Sequence, residues 1–400
     1  MPKLLQINVT ANWGSTGKIA ELIGREAIAQ GWKSYIAYGR YSNPSQSELI
    51  KIGNRFDTYY HFIGQRIFDN EGLWSRGATK ELIQKIKEIQ PDIIHLHNIH
   101  DHYLNYKLLF EYLNHSDIKV VWTMHDFWAI TGHCMHFISK NCNRFESMCH
   151  DCPMIKIYPK SLIDNSRQNY ISKQRLFSIN KNLTIVAVSD WVASQFRHSF
   201  LYNMPIHIIH NGIDLSQFKP TQMDENLFEG RFVILSVASQ WKHDKGLEHY
   251  ITLSRKLKSD EVIVLVGIDK ELKTKLPKNI IGLESTFDTQ KLAALYTRAD
   301  VVTIMSSAET FGLTVVEGYG CGTPAVVFDN SAPPYLITPQ TGFVVANGDV
   351  DAAYQAISKI KSKGKSCFEE SCIKLAYMKY DKQISSKKYI SLYNSILKLN

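Results

Sequence analysis

No stretch of eighteen apolar residues occurs in the 400-residue sequence, which excludes a membrane-spanning helix. The first nine residues, Met-Pro-Lys-Leu-Leu-Gln-Ile-Asn-Val, read as a strand and lack the apolar stretch of a signal peptide. The expectation is a cytoplasmic chain. Cysteine is scarce, and its count of seven is odd, so the sequence fits a disulfide framework poorly. In a reducing compartment those residues are thiols or metal ligands. Internal repeats and low-complexity tracts are absent. So is the clustered basic stripe of a nucleic-acid binder, which argues against nucleic acid as a partner.

What is present is ordinary for a globular protein: 44% apolar and 21% charged residues, which rules out a disordered or fibrous chain. At this length one hydrophobic core is too few, so two domains are expected. The net charge of +8 is unevenly placed, with 23 Lys/Arg against 17 Asp/Glu in residues 1–205, and 23 against 21 in the remainder. The first part also holds 11 of the 15 His. A weakly basic half is compatible with docking on an anionic membrane face. The plainer reading is a solvated surface that happens to be basic.

Short apolar runs at 4–9, 34–38, 93–96, 120–123 and 185–188 alternate with amphipathic stretches such as 19–30, 80–89 and 107–113. A second series follows Pro220, at 232–237, 262–266, 280–282, 301–304 and 325–328. This is the βαβ alternation of open parallel sheets. The turn-rich segment from His210 to Pro220 separates the series. The expected organisation is an N-terminal domain at 1–205, a second domain at 206–379 and a closing helix at 380–400. Ligands of open α/β sheets bind at strand carboxyl ends, so a cleft between the two domains is the expected site.

The sharpest motif is Ser306-Ser-Ala-Glu309-Thr-Phe-Gly312-Leu-Thr-Val-Val-Glu317-Gly-Tyr-Gly-Cys-Gly-Thr-Pro324. It follows a strand and enters a helix near Leu313, whose free N–H groups and dipole suit a diphosphate. Glu309 and Glu317 could grip two hydroxylated parts of one ligand. The bland reading, two unrelated surface glutamates, is weakened by the flanking Ser-x-Glu-x-Phe-Gly and Gly-x-Pro. Near the start, Gly14-Ser-Thr-Gly17-Lys18 is not a P-loop, because position 12 is Asn and position 19 is Ile.

Together these motifs resemble glycosyltransferase family 4, the retaining sugar transferases of the GT-B fold. His210-Asn-Gly-Ile-Asp214 is similar to the family's entry to the donor domain, and the loop ending in Lys245-Gly246 to its phosphate loop. Tyr296-Thr-Arg-Ala-Asp300 and Thr341-Gly342-Phe343 fit two further signatures. The resemblance implies two Rossmann-like doubly wound domains facing each other across a cleft, with the last helix returning to the N-terminal domain. It implies that Glu309 holds donor-sugar hydroxyls, Glu317 the nucleotide ribose and Lys245 the diphosphate. Backbone groups of Phe311, Gly312, Leu313 and Thr314 complete the cradle, and Gly17 lies beside it. The family usually carries an Arg five or six residues before that Lys; this chain has Ser239 or Gln240 there. Lys242 is the available substitute, though an ammonium lacks the planar fork of a guanidinium.

Histidines crowd two strand ends, at 95–102 and at His125-Asp126. His95 and His97 share one side of an alternating strand, which raises zinc as a minor reading. The resemblance gives another use: His125 near the donor sugar and acceptor, and His97 lining the acceptor side. Asp126 either orients His125 or caps the next turn. Four of the seven Cys, Cys134, Cys142, Cys149 and Cys152, fall in an insert at 132–153. Cys149 and Cys152 have the C-x-x-C spacing of a tetrahedral metal site. Structural zinc, disulfides or a redox pair, and unlinked thiols all remain open for this insert.

The expectation is therefore a metal-independent retaining transferase without a catalytic cofactor. It takes a nucleotide sugar, UDP-linked in preference to GDP-linked, to a glycan or lipid-linked acceptor in surface-polysaccharide synthesis. The competing readings are a GT-B epimerase or phosphorylase, and a non-catalytic nucleotide-sugar-binding subunit.

Overall fold

The computed structural model describes residues 1–221, 228–241, 243–286 and 288–399. They form two compact units, Met1–Ile209 with Ser385–Asn400, and His210–Ile384.

The first unit is built on a seven-stranded parallel sheet: β1 (Lys3–Asn8), β2 (Lys33–Tyr38), β3 (Glu48–Lys51), β4 (Ile93–Leu96), β5 (Lys119–Met124), β6 (Leu183–Ala187) and β7 (Ile206–Ile208). The order is β3-β2-β1-β4-β5-β6-β7. Leu4, Leu5 and Ile7 of β1 and Ile93, Ile94 and Leu96 of β4 are fully buried. Such continuous apolar strands suit a parallel sheet covered on both faces. The strand order reverses between β1 and β4, and their carboxyl ends open the crevice where doubly wound sheets bind ligands.

The second unit repeats the plan in six strands: β8 (Phe232–Val237), β9 (Glu261–Val266), β10 (Ile280–Leu283), β11 (Val301–Ile304), β12 (Ala325–Asp329) and β13 (Gly342–Ala346). Their order, β10-β9-β8-β11-β12-β13, puts the reversal between β8 and β11.

The unit boundaries differ from those expected. The strand Ile206–Ile208 pairs with β6, so the first sheet continues past residue 205. The last helix spans Lys382–Leu397, and from Ser385 it belongs to the first unit. There Tyr389, Ile390, Leu392 and Tyr393 pack among Leu4, Ile23, Trp32, Ile93, Val121 and Val186. Burying each such side chain is worth about 1.5–3 kcal/mol, which anchors the helix firmly. The two hydroxyls are also used: Tyr389 bonds Thr123 Oγ1 at 3.0 Å and Tyr393 bonds His95 Nδ1 at 2.6 Å. The Thr341-Gly342-Phe343 turn is the entry to edge strand β13.

Candidate functional site

In the first unit, loops from β1, β4 and β5 meet at the strand carboxyl ends. Asn98 N–H donates to Asn8 Oδ1 at 3.2 Å, tying the β1 and β4 loops across the reversal. Gly17 lies in the first turn of helix Gly14–Ala29, where its carbonyl accepts from Asn12 N–H at 3.1 Å. A Cβ at this position would press to 2.7 Å from Thr10 Oγ1, so the turn requires glycine.

A chain of hydrogen bonds fixes the histidine tautomers. Gln6 Nε2 donates to Ala20 O at 2.7 Å, which turns Gln6 Oε1 toward His97 Nε2, 3.1 Å away. A carbonyl oxygen only accepts, so His97 carries its proton on Nε2. Its bare Nδ1 then accepts from His125 Nε2 at 3.1 Å, with the two rings stacked. His125 is left with a lone pair on Nδ1. Burial holds the His97 pKa well below its ordinary value. Burial also brings His125 down to about 4, against the upward pull of Asp126, so both rings are neutral at pH 7.

His97 and His125 line a small pocket of about 10 Å³ together with Asn98, His100, Thr123 and Asp126. Asp126 does not orient His125. Its Oδ2 pairs with His100 Nε2 at 2.8 Å, and its Oδ1 accepts Trp128 N–H at 2.9 Å, capping the turn Trp128–Ile130. Burial would raise the Asp126 carboxyl, but His100 and the Trp128 N–H bring it to about 2. Both nitrogens of His95 are in hydrogen bonds, to Thr123 Oγ1 and Tyr393 Oη, which makes it part of the core rather than a ligand.

In the second unit the loops after β8 and β11 are joined. Ser307 N–H donates to Asp244 O at 2.9 Å, and Gly246, at φ +71°, packs so tightly that a Cβ would run into the Met305 carbonyl. That closure brings Lys245 Nζ to 2.6 Å from Glu309 Oε1, which also accepts from Ser306 Oγ at 3.0 Å. Burial would lower the Lys245 pKa, yet the Glu309 carboxylate carries it above its ordinary value. Glu309 N–H is held by Ser331 Oγ at 3.1 Å.

Helix Leu313–Gly320 begins four residues after Glu309, capped by Gly312 at φ +100°. Glu309 is therefore a loop residue and only Glu317 is helical. Tyr296, fully buried, donates its hydroxyl to Glu317 Oε2 at 2.7 Å. Phe311 is buried against the rings of His210 and Tyr380, while Leu313 and Thr314 are half-exposed at the helix start. Lys242 lies outside the described residues.

The four-cysteine insert is irregular, holding two one-turn 3-10 segments, Ile138–Lys140 and Arg144–Glu146. All four thiols are unlinked, Cys134 buried and the others half-buried. Cys134 hydrogen-bonds Cys152, whose sulfur also accepts Met154 N–H and lies near His133. These contacts lower the Cys152 pKa, while Cys134 is pushed up. Among the described residues, no three His, Cys, Asp or Glu side chains are grouped to hold a metal ion.

Four participants escaped the sequence analysis as functional groups: Gln6, His100, Tyr296 and Ser306. Gln6 is the only polar side chain among Leu4-Leu5-Gln6-Ile7, and a lone amide in a buried strand is a usable signal. Tyr296 lay within a quoted motif, but its reach to Glu317 depends on helix Thr289–Arg298 packing beside Leu313–Gly320.

The family model for Glycosyltransferase Family 4 matches residues 17–217, and that for Glycosyl transferases group 1 matches 218–377. A colanic acid biosynthesis glycosyl transferase, WcaC of Escherichia coli K12, is 25% identical over 368 residues, covering 87% of this chain and 88% of that protein. Sucrose-phosphate synthase from Thermosynechococcus elongatus superposes with a TM-score of 0.73 at 13% identity, covering all of both chains. Anabaena Alr3699/HepE, solved with UDP-glucose, gives 0.65 at 14% identity, covering 98% of this chain and 99% of that one. With matched halves meeting at residue 217 and two Rossmann-like sheets of the same strand order, this chain belongs to the GT-B glycosyltransferases of family 4.

Proposed function

We propose that this glycosyltransferase is retaining and metal-independent, and moves a sugar from a nucleotide sugar to a glycan or lipid-linked acceptor in surface-polysaccharide synthesis. The observation that carries the reading is the Lys245–Glu309 pair at the carboxyl ends of β8 and β11, beside the start of helix Leu313–Gly320. A cation and a helix N-terminus at one point suit the negative charge that grows on a departing diphosphate. Glu309, four residues before the helix start, accepts sugar hydroxyls, and Glu317, braced by Tyr296, accepts those of the ribose. His125 offers its Nδ1 lone pair to a sugar or acceptor hydroxyl while staying uncharged. The UDP-glucose bound by the HepE neighbour supports a UDP-linked donor, and the name of the WcaC relative supports a polysaccharide product. A zinc ion on Cys134, Cys142, Cys149 and Cys152 is a separate proposal. The donor set is chemically right for zinc, but binding must draw the loop's sulfurs closer.

Calorimetry with UDP-, GDP- and ADP-sugars in the presence of EDTA tests the donor reading. UDP-sugars should bind most tightly, and Lys245→Ala should weaken them at least about tenfold, as loss of a charged contact would. Failure of all three classes to bind, or binding only when a divalent cation is added, would refute it.

A further inference from the structure

Helix Arg55–Phe68 is inside out. Its buried positions are His61, Gly64 and Gln65, whereas Phe56, Tyr59, Tyr60 and Phe62 face solvent at 74, 61, 66 and 47% exposure. On a helical projection the exposed aromatics share one arc with Arg55, Ile63 and Arg66. A soluble helix normally turns its apolar face to the core. Here the register is locked the other way: His61 donates through Nδ1 to Ser75 Oγ at 2.8 Å and accepts Gly72 N–H on Nε2 at 2.9 Å.

A second apolar strip lies alongside. Leu162 N–H donates to Arg66 O at 2.9 Å and Ile163 N–H to Ile67 O at 3.2 Å, which lays residues 157–163 along the helix end. Leu162 is 75% exposed and Ile163 50%. Exposed Lys156 and Lys160 flank this strip, as Arg55 and Arg66 flank the aromatics. The nearby carboxylates are committed elsewhere, Asp101 to the Tyr158 hydroxyl and to Arg40 Nη1. Asp57 closes the capping box with Asn54, and Asp164 accepts the N–H groups of Cys152 and Ser166.

We infer that this face of the first unit docks on an anionic lipid bilayer. Tyrosine and phenylalanine rings seat at the headgroup level, leucine and isoleucine enter the acyl boundary, and the four cations meet lipid phosphates. No helix among the described residues is long and apolar enough to cross a membrane, so the attachment is interfacial. Charge selects this occupant over a second copy of the chain, because the same patch on two copies would oppose its own cations.

Flotation of the whole protein with phosphatidylcholine vesicles, with and without phosphatidylglycerol, tests the inference and needs neither donor nor acceptor. The protein should float with the anionic vesicles. At about 1 kcal/mol per cation, or fivefold each, Lys156→Gln/Lys160→Gln should weaken partitioning about 25-fold. Tyr59→Ser/Tyr60→Ser/Leu162→Ser should weaken it about tenfold or more, with an unchanged melting temperature because all three side chains are exposed. Tyr202→Ser, 61% exposed elsewhere in the unit, should change nothing. Absence of flotation, or equal flotation of the triple variant, overturns the inference. Sedimentation showing a dimer that the triple variant dissolves, with no vesicle binding, assigns the face to a second copy instead.

Discussion

Replacing Glu309 by Gln preserves shape and removes one charge, so it isolates what the carboxylate does. In the structure its Oε1 is shared between Lys245 Nζ at 2.6 Å and Ser306 Oγ at 3.0 Å. The two charged side chains are about three-quarters buried, at 28 and 24% exposure, so screening reduces their interaction only partly. A hydrogen bond to a charged group is worth about 1.5–3 kcal/mol, which at 1.36 kcal/mol per decade is about 10- to 150-fold in kcat/KM. The loss should appear mainly in kcat, because the carboxylate meets the sugar, while binding of the bare nucleotide is retained. Lys245 supplies a second readout. Burial pulls its pKa down and Glu309 lifts it, so Glu309→Gln should move the alkaline limb of the rate profile to lower pH. Lys245→Met and Glu309→Gln should also be non-additive in a double-mutant cycle, since each removes the other's partner. Initial rates at saturating donor, across pH, decide the matter. Turnover within twofold of wild type, with an unmoved alkaline limb, would refute the assigned role.

Tyr296→Phe removes the hydroxyl bonded to Glu317 and should cost about 1–3 kcal/mol of donor binding. It should be seen as a raised donor KM with kcat little changed; an unchanged KM would remove Tyr296 from the ribose contact. His61 folds neutral with a pKa near 4, below its ordinary 6.5, so the unfolded chain takes the proton first as pH falls. Its stabilising contribution is complete above about pH 6.5 and is lost toward pH 4. The advantage of wild type over His61→Gln in denaturant unfolding should therefore shrink by roughly 2.5 kcal/mol between about pH 7 and pH 4.5. A pH-independent difference would contradict the neutral folded state of His61. Untagged protein purified without chelator should carry one zinc per chain, lost in Cys149→Ser/Cys152→Ser; less than a tenth of an equivalent, with four titratable thiols, ends the zinc proposal.

The ten strands expected from apolar runs all form, because a doubly buried parallel strand leaves an unbroken apolar signature. β3, β7 and β13 were not legible as strands. Each lies at a sheet edge and is only partly buried, so its pattern is diluted. Helix Arg55–Phe68 was hidden for the opposite reason: its core-facing side is polar and its apolar side faces out, which defeats amphipathic reasoning. In the candidate site, Glu309, Glu317 and Lys245 carried their own motifs. The partner of Asp126 was not readable, since His125 is its sequence neighbour whereas His100, the residue it bonds, lies 26 positions away and is brought to it only by the fold. Gln6 and Ala20, which together set the proton positions on His97 and His125, come from strand and helix positions that sequence alone does not bring together.

The first unit is discontinuous along the chain, and that has a consequence for how the protein is made. His95 meets the hydroxyl of Tyr393, a residue synthesised 298 positions after it. At about 5–20 residues per second, a ribosome takes about 15–60 s to supply that partner. Through that interval the surface that receives Tyr389, Ile390 and Tyr393 stands open, and the second unit is translated while the first waits for its last helix. Residues 1–209 expressed alone would keep every strand of the first sheet yet expose the apolar groove over β1, β4 and β5. The same segment supplied with residues 385–400 as a separate peptide would regain its core and the buried hydrogen bonds of His95 and Thr123. The final helix thus acts on the N-terminal histidine cluster as a late-arriving internal ligand.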